Sequence, residues 1–137
     1  MIQLVLEPKK SPLKILCLGS HCDDIEIGCG GTLLNLIQRR RGKVIVHWVV
    51  FSSTPEREKE AMRSAQVLLK HTKQKTIVIR HFEDSFFPYN GGEIKKCMQQ
   101  LSRTFSPDLI FTHYRNDLHQ DHRLTCDACL AEAFELG

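Results

Sequence analysis

The run Lys14-Ile15-Leu16-Cys17-Leu18-Gly19 is short, apolar after its first residue and closed by glycine. A strand with one solvated face alternates apolar and polar side chains, whereas a strand covered on both faces does not. The run therefore reads as a strand inside a sheet sandwiched by helices. Val44 to Phe51, Thr76 to Arg80 and Asp108 to Thr112 share its character, the last introduced by the turn Ser106-Pro107-Asp108. Four buried strands are predicted.

Between these runs the apolar spacing is helical. Leu33, Leu34 and Ile37 precede Gly42; Ala61, Ala65, Leu68 and Leu69 form a second set; Ile94, Cys97, Met98, Leu101 and Phe105 form a third. The second helix has a legible start, because Thr54 can cap, Pro55 suits the first helical position, and Glu56 and Glu58 complement the positive end of the dipole. Gly42 is expected to stop the first helix, and Arg39-Arg40-Arg41 marks its solvated end, where cations suit the dipole. A fourth helix is predicted from about Asp121 to Glu135. Strand and helix alternate four times, which specifies an α/β, Rossmann-like, mainly parallel sheet with helices on both faces and right-handed crossovers.

Composition narrows the function classes. With 137 residues, 42% of them hydrophobic, the chain can bury a core as a single domain over residues 1–137. Its 19 basic and 16 acidic side chains leave a net charge of +3, spread along the sequence apart from the arginine run, so no nucleic-acid footprint is present. Residues Met1 to Lys10 lack the features of a secretory signal, and no apolar run approaches the roughly 18 to 20 residues of a membrane span. A reducing cytoplasm is the expected location, with the six cysteines unpaired. Cys126 and Cys129 form a lone Cys-x-x-Cys in a predicted helix, where packing is the expected role, as for Cys17 and Cys97.

Two strings carry the chemistry. His21-Cys22-Asp23-Asp24 follows the first strand, and His119-Gln120-Asp121-His122 lies beyond the fourth. In an open parallel sheet ligands gather beyond the carboxyl ends of the strands, where both strings fall. His21, Asp24 and one histidine of the second string could then hold a divalent cation with a position left for water. The adjacent aspartates can divide the work, one ligating and the other taking a proton from activated water. The segment Gly28-Cys29-Gly30-Gly31-Thr32 is a poor phosphate loop. A dinucleotide fingerprint would need glycine at Leu33, no phosphate-loop lysine is present, and the second strand ends in Phe51-Ser52-Ser53 without an acid for a ribose. The glycines are instead expected to let helix and strand approach beside the site.

On these anchors, Gly19 to Thr32 and His119 to His122, the chain resembles the PIG-L/LmbE family of zinc-dependent N-deacetylases over nearly its whole length. The resemblance implies zinc, or another divalent metal, held by His21, Asp24 and His122. It implies Asp23 as general base, and His119 stabilising the oxyanion or protonating the leaving amine. Asp121 would orient a neighbouring histidine, and Arg57 and Asp84 would contact sugar hydroxyls. The implied substrate is an N-acetylated sugar conjugate, typically N-acetylglucosamine on a lipid, inositol, thiol or glycan, which loses acetate. Phe86, Phe87 and Tyr89, within Glu83 to Gly92, are expected to line the pocket.

Two departures stand out. Cys22 replaces the usual proline, which loosens the loop and puts a thiol beside a ligand, open to oxidation or to soft metals. The chain is also shorter than the family's usual length, so the sheet is expected to lack a strand on its C-terminal side, an open edge that would invite homo-oligomers. A noncatalytic binding or assembly member of the same fold is the alternative reading.

Overall fold

The computed structural model describes residues 12–132. Its elements are β1 (Leu13–Gly19), α1 (Asp24–Arg39), β2 (Val44–Val50), α2 (Pro55–Leu68), β3 (Gln74–Ile79), a 3-10 turn (Phe87–Asn90), α3 (Gly91–Thr104), β4 (Leu109–Phe111) and α4 (Gln120–Ala131). The four strands pair in parallel in the order β3-β2-β1-β4. The Rossmann-like α/β class expected from strand and helix alternation is the class observed.

Period-two alternation divides the core. Leu13, Ile15, Cys17, Val44, Val46, Trp48 and Val50 pack against Ile25, Leu33 and Ile37 of α1 and Ala61 and Ala65 of α2. Leu16, Leu18, Val49 and Phe51 face the opposite side, against Ile94 and Met98 of α3 and Cys129 of α4. Helices therefore cover both faces. The expectation of four buried strands holds only for the central pair. In β3 residues Gln74 to Thr76 are exposed and Ile77 to Ile79 half-buried, and all three residues of β4 are half-buried. Both are outer strands, with a neighbour on one side only.

Local signals largely act as read. The Thr54 hydroxyl accepts from the Arg57 backbone N–H, with Pro55 at the first helical position. Gly42 adopts φ 76° and donates to the Ile37 carbonyl at 2.9 Å, closing α1. A Cβ there would meet the His71 carbonyl oxygen at 2.5 Å. Gly42→Ala combines that collision with a left-handed conformation worth about 1–2 kcal/mol. It is expected to lower unfolding free energy by about 2 kcal/mol or more in urea titrations. The glycine segment behaves differently from expectation. Gly28 and Gly31 have open space where a Cβ would stand, and Gly30 faces the Leu68 side chain of α2 instead of a strand. The fourth helix ends at Ala131 with Glu132 extended, short of the expected Glu135, and residues 133–135 lie outside the described residues.

The topology places the site. From β1 the chain winds outward through β2 to β3, then returns across the sheet to lay β4 on the other side of β1. Connections leaving β1 and β4 diverge to opposite faces, opening a crevice at their carboxyl ends, where such folds bind ligands.

Candidate metal centre

The first loop is built by a tight return after β1. A Cβ on Gly19 would lie 3.0 Å from Ile25 Cγ1 and 3.3 Å from Asp24 Cβ, so glycine lets the start of α1 fold back over the strand end. Buried Ser20 ties this loop to α4, its hydroxyl 2.7 Å from Thr125 Oγ1 and 3.2 Å from the Asp121 carbonyl. Asp23 takes a left-handed conformation, φ 79°, at the N-terminus of α1. That twist separates the two aspartates. Asp24 turns inward, with 18% of its side chain exposed, whereas Asp23 is 66% exposed and lies 3.4 Å from Arg57 Nη2.

The second loop runs from β4 to α4. His119 caps α4, its Nδ1 accepting from the Asp121 backbone N–H at 3.2 Å. Asp121 is fully buried, and its carboxylate accepts from Ser85 N at 2.7 Å, Phe87 N at 3.1 Å and His21 Nε2 at 2.9 Å. Gln120 Nε2 also donates to the Ser85 carbonyl, so the segment after β3 is pinned to the start of α4.

His21, Asp24 and His122 meet as a triangle of donors. His21 Nδ1 and His122 Nε2 are 3.3 Å apart, His21 Nδ1 and Asp24 Oδ2 3.5 Å, and His122 Nε2 and Asp24 Oδ2 3.4 Å. Two bonds of about 2.0–2.1 Å meeting at a tetrahedral angle hold their outer atoms about 3.3–3.4 Å apart. The triangle therefore has the edges a small divalent cation requires. His21 is prepared for it, since donating Nε2–H to Asp121 leaves the Nδ1 lone pair facing Asp24 and His122. His122 Nδ1 lies 3.2 Å from Asp117 Oδ2, within charge reach but without hydrogen-bond alignment.

His21, Asp84, His119 and Asp121 form a second donor group on the side of the other ring nitrogen of His21, Nε2. Its atoms are already engaged: Asp121 by two backbone amides and His21, and His119 Nδ1 by the Asp121 amide. Asp84 is 63% exposed, 3.3 Å from His21 Nε2. The triangle is the better-formed cation site.

The electrostatics follow from this crowding. Burial would raise the Asp24 carboxyl, but the surrounding imidazoles and the His21 amide hold it well below the usual carboxylate range. Burial would lower His21, yet hydrogen bonds to Asp24 and Asp121 raise it above 6.5. In the metal-free protein Asp24 contributes stability above about pH 4 that is lost as pH falls through its depressed value. His21 contributes stability below 6.5 that is lost as pH rises through its raised value. A cation must displace the His21 proton. Cation affinity is expected to weaken on acidification, and to begin weakening above the ordinary imidazole range because His21 is raised. Calorimetric titration in buffers of different ionisation enthalpy should register the released proton.

Several sequence expectations change here. Phe87 is fully buried in the core, while Phe86 and Tyr89 are 45% and 82% exposed. Cys22 Sγ points to the Ser52 carbonyl at 3.7 Å inside the core and belongs to neither donor group. Cys126 and Cys129 are buried on α4, and burial raises both thiols, Cys129 to about 11, which suits packing and not redox exchange. His113 and Asp117, in the second loop, touch the triangle although neither belongs to the two motif strings. His113 follows β4 as His21 follows β1, a positional signal that could have found it.

The profile of the PIG-L family, described as GlcNAc-PI de-N-acetylase, matches residues 16–133, from within β1 to just past α4. The chain belongs to the PIG-L family. This PIG-L domain also resembles the crystal structure of the conserved protein TT1542 from Thermus thermophilus, with a TM-score of 0.70 and 24% sequence identity. The likeness, one of fold, covers 90% of this chain and 63% of that protein. No helix among the described residues is long and apolar enough to cross a membrane.

Proposed function

We propose that this PIG-L domain is a metal-dependent hydrolase that removes the acetyl group from an N-acetylated amino sugar conjugate of the N-acetylglucosamine type, with zinc as the ion. The donor triangle of His21, Asp24 and His122, with edges of 3.3 to 3.5 Å, carries this reading. An ion held there supplies Lewis acidity to an amide carbonyl and lowers the pKa of water toward neutrality.

The remaining roles belong to the chain. Asp23, adjacent to a ligand yet turned to solvent, receives the proton of the attacking water. Arg57, read from sequence as a sugar contact, lies against Asp23 and can hold that carboxylate in place. His119 keeps its neutral-state proton on Nε2, because Nδ1 accepts from Asp121, and this proton serves the oxyanion or the departing amine. Asp121 fixes the orientation of His21 from behind. Asp84, exposed at the mouth, is assigned to a sugar hydroxyl, and exposed Phe86 and Tyr89 to the group that carries the sugar.

Two measurements test the proposal together. Zinc content of the purified protein should approach one ion per chain and be lost in His21→Ala and His122→Ala. The zinc-loaded protein should release acetate from N-acetylglucosamine glycosides. Retention of zinc by both variants would refute the ligand set, and zinc binding without acetate release from any N-acetylated sugar would favour the noncatalytic reading.

A further inference from the structure

His113 stands at the end of β4, against the donor triangle but outside it. Its Nε2 accepts from the Ser20 backbone N–H at 2.9 Å, and its ring lies face to face on His122, centroids 3.9 Å apart and planes within 9°. The same Nε2 is 3.4 Å from Asp24 Oδ2. A neutral imidazole has one ring lone pair, on the nitrogen without the proton. Ser20 takes the lone pair of Nε2, which places the ring proton on Nδ1. Nε2 then has no electron pair left to offer a cation.

We infer that His113 is a positioning residue that is kept out of the coordination sphere: it clamps the first loop to β4 through Ser20 and backs the His122 ring, leaving a position for water. Beside it lies a cavity of about 130 Å³ lined by Asp24, Gly28, Cys29, Phe111, Thr112 and His113. Packing does not hold the ring from that side, so the Ser20 amide and the His122 stack are its anchors. Both anchors bear on ligands, since Ser20 precedes His21 and the stack sets the plane of His122.

The inference rests on the metal site proposed above, and cobalt(II) titration of the intact chain against a competing chelator separates the two. His113→Phe keeps a ring on His122 but cannot accept from Ser20, whereas His113→Gln places an amide oxygen near the former Nε2. The Phe variant is expected to bind cobalt about 10–100-fold more weakly. Its stoichiometry should be unchanged, and the Gln variant should regain most of the loss. Wild-type cobalt absorption should respond to added azide, as an open position requires. Urea midpoints of the metal-free variants report folding, so a Phe variant that fails to fold leaves the comparison of Gln with wild type decisive. Wild-type affinity in the Phe variant would overturn the positioning role. Loss in both variants equal to that of His122→Ala, with a wild-type spectrum indifferent to azide, would make His113 a ligand. Absence of cobalt binding in wild type would instead overturn the metal site itself.

Discussion

Asp23→Asn should lower the rate of acetate release by about 10²–10⁴-fold, the usual contribution of a general base. Zinc content should stay at the wild-type level. Asparagine suits this test better than alanine, because Asp23 sits at φ 79°, a conformation that asparagine tolerates and alanine does not. The substitution therefore removes charge and basicity while keeping the backbone. Metal retention follows from geometry: Asp23 belongs to neither donor group, and its carboxylate lies 3.4 Å from Arg57 Nη2. An unchanged rate would dismiss Asp23 as the base. Loss of zinc with the rate would instead place it among the ligands.

Asp121→Asn should be a severely damaging isosteric change, costing roughly 3 kcal/mol or more of stability. Oδ1 accepts from Phe87 N, and Oδ2 from Ser85 N and His21 Nε2, at a carboxylate that is itself fully buried. An amide has one acceptor oxygen and must turn its NH2 toward the other side, leaving at least one buried N–H facing another donor. The loss of hydrogen bonds to a charged acceptor adds to this. Because Asp121 also orients His21, cation affinity should fall about 10–100-fold in the same variant. A urea midpoint within error of wild type would contradict the account.

The sheet was legible because its central strands are covered on both faces, and continuous apolar runs such as Ile15 to Leu18 have no other use. The same logic overreached at β3, where Ile77-Val78-Ile79 is as apolar as a central strand but lies at an edge. Caps were legible because they are local: Thr54, Pro55 and Gly42 act through neighbours a few residues away. Contacts across the chain were not. His113 gains its place from the Ser20 amide 93 residues earlier, and the buried carboxylate of Asp121 is shared with backbone amides 34 and 36 residues before it. Glycines and aromatics misled for a related reason, since Gly28 and Phe87 look the same in sequence whether they face space, a ligand or the core.

His21 and His122 are 101 positions apart, yet their ring nitrogens face each other across 3.3 Å. During synthesis the amino-terminal half of the grip exists long before its counterpart has left the ribosome. Capture of an ion at this site would be a late event, contingent on the intervening strands having docked in order, since an early fragment carries His21 and Asp24 without His122. A captured ion would close a loop of about a hundred residues, acting as a reversible staple whose grip depends on free cation concentration. Heat tolerance should rise with zinc supply, and a chelator should loosen the first loop and the last helix together.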